Sequence, residues 1–216
     1  MAKRSGWVVV ALLLCLSLLA QVAHRHHPPE SASAYIQSLE DPGRDEWQKP
    51  QQVIAELGLK PGDVVADLGA GSGYFTVRFA RAVAPTGKVF AVDITREMLE
   101  YIERRAKGEG LQNIQTVHAD PHDPKLQASS VDLIFICDTL HHISAREKYY
   151  VLLARALKPG GRLVNIDFHK RLLPVGPPVE MKIAREAVIE EVKPAGFRLV
   201  KEYDFLKYQY FLVFER

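Results

Sequence analysis

"DLGAGSGYFT", residues 67–76, places three glycines at alternate positions between an apolar run and the predicted first turn of a helix. Because Gly69, Gly71 and Gly73 lack Cβ atoms, the backbone can adopt left-handed dihedrals and a ligand can approach the peptide groups closely. The stretch therefore predicts a loop that can seat a nucleotide, and leaves open which nucleotide it is.

On both sides of this loop, short apolar runs alternate with amphipathic segments. Strands are predicted at 63–69, 88–93, 113–120, 131–138 and 162–168, helices at 74–84, 95–110, 179–196 and after Ser144, and two further strands at 197–205 and 208–215. Repeated strand–helix units predict an α/β fold, a doubly wound, mostly parallel, seven-stranded Rossmann-like sheet with a C-terminal antiparallel hairpin. Such sheets bind ligands outside the carboxyl ends of their strands, where the glycine loop lies.

Capping residues predict where two of the helices begin and end. Thr95 is a candidate N-cap, and Gly108 or Gly110 a candidate stop for the same helix. Ser144 and Glu147 stand three positions apart, as in a capping box, so we expect the next helix to begin at that serine.

The first thirty residues differ in composition from the rest of the chain. Two basic residues precede an uncharged stretch from Trp7 to Ala20, and a polar, proline-containing stretch follows it. This layout predicts a signal peptide or a membrane anchor over 1–23, a linker over 24–34 and one domain over 35–216. A buried helix is the remaining alternative for the apolar stretch. We accordingly expect an exported, periplasmic or membrane-anchored protein, with membrane contact possible through the N-terminal segment.

The charge balance argues against a nucleic-acid partner. The chain has 28 basic and 26 acidic residues, and loss of Lys3 and Arg4 with a leader would make the numbers equal. A near-neutral domain has no net cationic field to attract a polyanion. We expect no metal site either, because the histidines at 24, 26 and 27 stand beside two prolines with no fixed partner. The sequence gives no indication of the oligomeric state.

The spacing of the glycines distinguishes between nucleotide ligands. A dinucleotide fold uses G-x-G-x-x-G, whereas this loop has G-x-G-x-G with Tyr74 at the place of the third glycine, and the G-x-x-x-x-G-K-[ST] phosphate loop is absent. Asp67 precedes the first glycine and Asp93 ends the second predicted strand. Carboxylates beside the loop would repel a phosphate and attract a cationic or hydroxyl-rich ligand.

With these residues the sequence resembles the class I S-adenosylmethionine-dependent methyltransferases. The matching stretches, in order, are "VVADLGAGSGYFT" (64–76), "VFAVDIT" (89–95), "HAD" (118–120), "VDLIFICDTLHHI" (131–143) and "LKPGGRL" (157–163). The resemblance extends over residues 47–216. It implies strand order 3-2-1-4-5-7-6, S-adenosylmethionine as cofactor, and methyl transfer.

The resemblance also implies roles for individual residues. The predicted cofactor-binding set is Asp67, Gly69, Ala70, Gly71, Gly73, Asp93, Ile94, Asp120 and Asp138. Asp67 and the glycine-loop backbone would face the methionyl part, and the two oxygens of Asp93 would bind both ribose hydroxyls. Asp120 would read the adenine amino group, and Asp138 would lie beside the transferable methyl. The alternative for each aspartate is a turn or helix-cap carboxylate.

Catalysis would rest mainly on alignment of the acceptor with an already activated methyl group. A general base is needed only where the acceptor carries a proton. His141 and His142 are the candidates, with Asp138 beside them, because histidine titrates near neutral pH. Packing and capping of the following helix is the alternative for this pair.

The acceptor would be chosen by two segments outside the motifs. Residues 34–58 predict a lid helix with Tyr35 and Trp47, and residues 168–182 predict a stiff, apolar rim. A small-molecule or lipid-like acceptor fits these segments. Arsenite methylation uses a similar framework, but it needs several cysteines, and only Cys137 lies outside the leader.

A second class of function is a domain that binds the cofactor or a related nucleoside without catalysis, as an exported sensor or scaffold. The apparent leader motivates it, since S-adenosylmethionine is made inside the cell. An anchor with the domain on the cytosolic face would also resolve this conflict, although the distribution of basic residues favours the opposite orientation.

Overall fold

The computed structural model describes residues 31–216, which form one α/β sheet structure with helices on both faces. The helices are α1 (Ala32–Leu39), α2 (Arg44–Gln48), α3 (Pro50–Leu57), α4 (Thr76–Val83), α5 (Arg96–Gly108), α6 (Arg146–Ala156) and α7 (Arg185–Glu191). The strands are β1 (Val64–Leu68), β2 (Lys88–Asp93), β3 (Ile114–His118), β4 (Val131–Cys137), β5 (Leu157–Phe168), β6 (Arg198–Tyr203) and β7 (Gln209–Glu215).

The seven strands follow the order β3-β2-β1-β4-β5-β7-β6, as the sequence predicts. Strands β1 to β5 pair in parallel, whereas β7 pairs antiparallel to both β5 and β6. The last strand of the chain therefore lies between β5 and β6. Strand order reverses between β1 and β4, and at this point a ligand can enter between the loops.

The central strands are mostly apolar because helices cover both faces of the sheet. On β4, Ile134 and Phe135 point to opposite faces and are both fully buried. Phe135 packs against Phe75 and Phe79 on one face. Tyr150 of α6 is buried on the other face. This rigid double core fixes the strand ends that carry the site.

Two predicted helix boundaries are wrong. Helix α6 begins at Arg146 after Ala145, whose backbone is left-handed with φ 49°, and no side chain caps it, so the predicted capping box is not formed. The helix predicted over 179–196 is broken: a short 3-10 turn at Val179–Met181 precedes an extended link, and only Arg185–Glu191 is α-helical. The link is extended because Lys182 and Ile183 are buried, and the Lys182 ammonium donates to the Arg171 carbonyl oxygen at 2.9 Å.

The predicted leader, residues 1–23, and most of the predicted linker lie outside the described residues. Helix α1 begins at Ala32, three residues before the predicted start of the domain. Between residues 31 and 216, no helix combines the length and the apolar character that crossing a membrane requires.

Candidate functional site

A cavity of about 790 Å³ opens at the carboxyl ends of β1, β2 and β4. The glycine loop forms its floor, and α1 with the start of α2 covers one side. Its volume lies in the range of about 300–1,000 Å³ that is typical of sites for small organic ligands. The predicted aspartates at 67, 93, 120 and 138 and both predicted histidines line this one space.

The glycine loop is shaped as a cradle that side chains would fill. Gly69 has φ +72°, and a Cβ there would lie 2.2 Å from the Thr139 hydroxyl oxygen. Gly73 has φ +78°, and a Cβ there would lie 3.0 Å from the Ile102 side chain. Left-handed dihedrals at these positions require glycine. Ala70 tolerates a side chain because its own lies buried beside α5.

Asp93 joins the glycine loop to the end of β2. Its two carboxylate oxygens accept hydrogen bonds from the backbone N–H groups of Gly71, at 2.9 Å, and Thr95, at 2.8 Å. Each oxygen has a second lone pair, so the group can still accept from a vicinal diol in the cavity. Ile94, the next residue, is 57% exposed at the cavity edge.

Asp67 lies at the end of β1 and is buried. Burial raises the pKa of its carboxyl group to about 7, although the Thr76 hydroxyl donates to it at 2.6 Å. A buried carboxyl of this kind gains stability as an anion when a cationic group binds beside it.

Asp120 is placed differently from the other three aspartates. It is exposed at the cavity lip, where its Oδ1 accepts from the His122 N–H at 2.9 Å and its backbone pairs with Asp123. One oxygen thus closes a turn, which is the alternative role foreseen for these aspartates, while the residue still lines the cavity.

Asp138 follows β4 and has a positive φ of 53°, which is uncommon for a residue other than glycine. The Gln209 amide donates to its Oδ1 at 2.6 Å, and the Arg44 guanidinium lies 3.8 Å from its Oδ2. Burial raises the pKa of this carboxyl group to about 6. The strand end therefore presents a carboxyl group that titrates close to neutral pH.

His141 is held by an acid that the sequence analysis did not single out. Its Nδ1 lies 3.0 Å from one oxygen and 3.1 Å from the other oxygen of Asp167, which is fully buried at the end of β5. Although burial lowers the pKa of His141, the hydrogen bond and charge of Asp167 raise it above its ordinary value. The His142 ring contacts the His141 ring in a tilted arrangement, with 4.2 Å between the ring centroids. An acid at a predicted strand end was the available signal for Asp167.

Polar contacts attach both ends of the lid to the body of the domain, and Asp45 of α2 also accepts from the Tyr74 hydroxyl. Glu40, after α1, accepts from the Ser72 hydroxyl and the Arg105 guanidinium, both at 2.6 Å. On the opposite side, the Gln48 amide donates to Gln209 on β7 at 2.9 Å. Arg44, which the sequence analysis also missed, lies between these attachments.

One side of the cavity is aromatic. Trp47 lies 5.7 Å from Phe168 between ring centroids, and Val175 and Pro177 extend this wall from the loop after β5. In the part of the chain from residue 31 onward, no group of three or more His, Cys, Asp or Glu side chains is placed to hold a metal ion. The described lining of the cavity combines carboxylates, one histidine pair, the Arg44 guanidinium and an aromatic wall.

A sheet of this order, with a glycine cradle after β1 and a carboxylate at the end of β2, defines a nucleotide-cofactor enzyme of the α/β class. The chain belongs to the methyltransferase domain family, whose model matches residues 59–195.

Similar proteins agree with this assignment. A crystal structure of a SAM-dependent methyltransferase from Aquifex aeolicus has a TM-score of 0.80 at 32% identity, covering 85% of this chain and 97% of that one. The ubiquinone/menaquinone biosynthesis C-methyltransferase UbiE of Francisella tularensis subsp. novicida is 35% identical over 130 residues, 60% of this chain and 51% of the relative. The chain thus spans about half the length of the curated relatives it matches. PH0226 of Pyrococcus horikoshii, with a TM-score of 0.66 at 20% identity, shares the fold.

The protein is therefore a methyltransferase that depends on S-adenosylmethionine, which confirms the enzyme class and the cofactor that the resemblance implied. The residues fit that cofactor, because a Cβ would fill the glycine cradle and Asp93 presents two acceptor oxygens beside it. The alternative of a domain without catalysis is not retained.

The predicted cellular location of the protein is wrong. The curated relatives are named for ubiquinone/menaquinone biosynthesis, which overturns the expectation of an exported, periplasmic or membrane-anchored protein. The prediction relied on residues 1–23, which lie outside the described residues, and on no feature of the domain itself.

Proposed function

We propose that this enzyme transfers the methyl group of S-adenosylmethionine to a small, apolar or lipid-like acceptor by in-line displacement. The observation that carries the proposal is the continuity of the cavity, in which one space joins the glycine cradle, the His141–Asp167 pair and the aromatic wall at Trp47. A methyl donor and an acceptor can then lie within one enclosure, as positioning catalysis requires.

On the cofactor side, each carboxylate contacts a different part of the cofactor, according to its position in the cavity. Asp93 accepts from the ribose hydroxyls while its bonds to the loop hold it in place. Asp120 uses its remaining acceptor capacity on the adenine amino group at the lip. Asp67 and the backbone from Gly69 to Ser72 line the methionyl end, where a negative carboxylate offsets positive charge, whereas Gly73 is not among the residues that line the cavity.

When bound, S-adenosylmethionine supplies a methyl group activated by its sulfonium. The protein then has to align the acceptor and exclude water, which in well-oriented systems lowers a barrier by up to ~7–11 kcal/mol. The lid from Tyr35 to Trp47 and the rim at Val175 and Pro177 enclose this space. Asp138, fixed by Gln209, stands at the strand end nearest to where the resemblance places the methyl.

His141 is the general base of the proposed reaction. The Asp167 carboxylate accepts from Nδ1–H, and this hydrogen bond leaves Nε2 as the acceptor nitrogen of the neutral ring. The carboxylate also stabilises the imidazolium that forms when the ring takes a proton. His142 packs against this ring at an angle and helps to position it.

The acceptor class is supported by two independent features. The wall around Trp47 and Phe168 suits a flat apolar ring. The curated relatives are named as C-methyltransferases of ubiquinone/menaquinone biosynthesis, so a quinone-like ring is the first acceptor to test.

Isothermal titration and a transfer assay test the proposal. S-adenosylmethionine and its demethylated product should bind to the chain, and NAD should not. With methyl-labelled donor, label should pass to a short-chain quinol that lacks one ring methyl group. Binding without transfer to any apolar ring would contradict the acceptor class, whereas folded protein that binds neither nucleoside would contradict the site assignment.

A further inference from the structure

Lys182 is a buried cation beside the aromatic wall, and the proposed reaction does not use it. Only 3% of the residue is exposed, whereas lysine is almost never buried to this extent unless its charge is paired. Its ammonium donates to the Arg171 carbonyl oxygen at 2.9 Å. A carbonyl oxygen is a neutral acceptor, so another group has to compensate the charge of Lys182.

The hydrogen bond from Lys182 joins the two ends of the rim loop, residues 171–182. A compact loop of about 6–16 residues whose ends meet is an Ω-loop. In the middle of the rim loop, Gly176 has φ +86°, and a Cβ there would lie 2.7 Å from two atoms of the Phe168 ring. The Lys182 ammonium lies 5.8 Å from the centre of the same ring. The rim loop therefore rests on Phe168 at its middle, and Lys182 closes it at its base.

The charge of Lys182 also acts on the histidine–acid pair. Asp167, which precedes Phe168 on β5, is fully buried and bonded to His141. Burial lowers the pKa of Lys182, and the charge of Asp167 partly offsets this effect. Burial and the charge of Lys182 lower the pKa of His141, whereas Asp167 and Asp138 raise it. The Asp167 carboxylate thus compensates Lys182 and, once the ring is protonated, His141 as well.

We propose that Lys182 is a positioning residue of the acceptor site, whose ammonium closes the rim loop at Arg171 and supplies the positive charge that faces the His141–Asp167 pair. The functional part of this inference rests on the proposed role of His141 as general base. A cation at this place disfavours the imidazolium form, so the ring stays neutral and available to accept a proton closer to neutral pH.

Titration of His141 in the free enzyme tests the electrostatic part. Nuclear magnetic resonance follows the imidazole signals of the full chain against pH, and the His141→Asn variant identifies the signal of His141. Lys182→Met keeps an unbranched side chain without its charge, so it should raise the pKa of His141 by about 0.5–1 pH unit. Lys182→Arg keeps the charge and should leave this pKa unchanged. The measurement needs neither cofactor nor acceptor, so it separates failure of this inference from failure of the proposed function.

Two control variants distinguish the charge of Lys182 from other causes of a shift. Lys170→Met removes an exposed charge next to the rim loop, and it should leave the titration of His141 unchanged because solvent screens such charges. Gly176→Ala disturbs the contact of the rim loop with Phe168 but keeps every charge, and it should shift the titration by less than half as much as K182M. An unchanged titration in folded K182M, or an equal shift in G176A, would overturn the electrostatic role.

Cleavage by trypsin after Arg171 tests the closing of the rim loop. Arg171 is exposed, and its peptide bond becomes a better substrate when the loop opens. Mass spectrometry of the fragment that ends at Arg171 should show several-fold faster cleavage in K182M than in the wild-type chain or K182R, and equal cleavage would overturn the closing role. In the transfer assay, the acid limb of the rate should move to higher pH in K182M. An acid limb that stays in place while the pKa of His141 shifts would contradict His141 as base, and the placement of Lys182 would stand.

Discussion

Asp93 does two things with one carboxylate. Its oxygens fix the glycine loop and the start of α5 through two backbone N–H groups, and the same oxygens face the cavity. A residue with both duties cannot be replaced by its amide, because the amide nitrogen would oppose one of the two N–H donors.

Asp93→Ala should weaken binding of the demethylated cofactor product by roughly 2–3 kcal/mol, about 30- to 150-fold in Kd, because it removes charge-assisted bonds to the ribose. Titration calorimetry measures the change. Asp204→Ala is the control, since Asp204 is exposed and outside the cavity lining. An unchanged Kd in folded D93A would place the ribose elsewhere.

His141→Asn should lower kcat by ~10²–10⁴ and leave the cofactor Kd nearly unchanged, because proton removal matters only in the transition state. The wild-type rate should fall toward acid with unit slope below a pKa above 6.5, since Asp167 raises that pKa. This acid limb should vanish in H141N.

Asp167→Asn supplies an independent check on the same pair. Without the carboxylate, the pKa of His141 falls, so the acid limb should move to lower pH while the maximal rate also drops. His142→Asn is the comparison variant at the same wall. If H141N lost thermal stability but kept turnover within a few fold of wild type, the pair would be structural.

At the scale of elements, the attachment of α1 controls access to the cradle. Glu40 carries this attachment through Ser72 and Arg105, and a Cβ at Gly71 would lie 3.0 Å from Leu39 of the same helix. The lid therefore rests directly on the loop that it covers, with one carboxylate as its main polar contact.

Glu40→Gln should increase cleavage by chymotrypsin after Tyr35 or Leu39 in the free enzyme, because it weakens a part-buried charged contact that holds α1 closed. Saturation with the demethylated product should restore protection. Glu109→Gln is the matched control: it removes the other carboxylate bonded to Arg105, at 2.9 Å, without touching α1. Equal cleavage of both variants would mean that Glu40 does not hold the lid.

Element types followed from the sequence, but two boundaries did not. The apolar runs predicted all seven strands, because buried strands leave a continuous apolar run, whereas the order of the strands followed from the resemblance to the methyltransferases. The predicted helix does not form at Lys182 and Ile183, because tertiary contacts with Arg171 and the core hold this link extended. No local sequence pattern encodes these contacts. Local propensity is a weak prior where burial decides.

At the scale of the whole molecule, the cavity concentrates groups that prefer to be protonated. Asp67 and Asp138 keep their protons to about pH 7 and 6, whereas the unfolded chain releases them near its ordinary value of 3.8. The folded state therefore binds more protons between about pH 4 and 7, and the free energy of unfolding falls as pH rises through this window. His141 acts with the same sign, because its raised pKa gives stability that is lost above that pKa.

We expect the melting temperature of the free enzyme to fall between pH 5 and pH 8, as measured by scanning calorimetry. Asp67→Asn should flatten this slope, since an amide does not titrate. Bound S-adenosylmethionine should flatten it too, because its positive charge favours the ionised carboxylates. A melting temperature that rises over this interval would contradict the buried, protonated state of these two groups.

Most of the residues that line the cavity were predicted from the sequence. The residues that contact them from distant parts of the chain were not. The aspartates at strand ends were predictable because parallel strands end at one edge of the sheet. Arg44 and Asp167 were not, because their significance depends on Asp138 and His141, residues that only the folded chain brings near them. No periodicity or motif in the sequence indicates that such residues lie close together in the fold.

The position of β7 also determines the order in which parts of the domain can assemble during biosynthesis. A ribosome delivers Gln48 161 residues before its partner Gln209, which lies on the strand that must enter between β5 and β6. Until then, the nascent chain exposes an unpaired edge of β5 and a lid that lacks its contact with Gln209, a state prone to association with other chains. Translation that stopped before residue 209 would release a protein that has its glycine loop but in which the lid side of the cavity is still open.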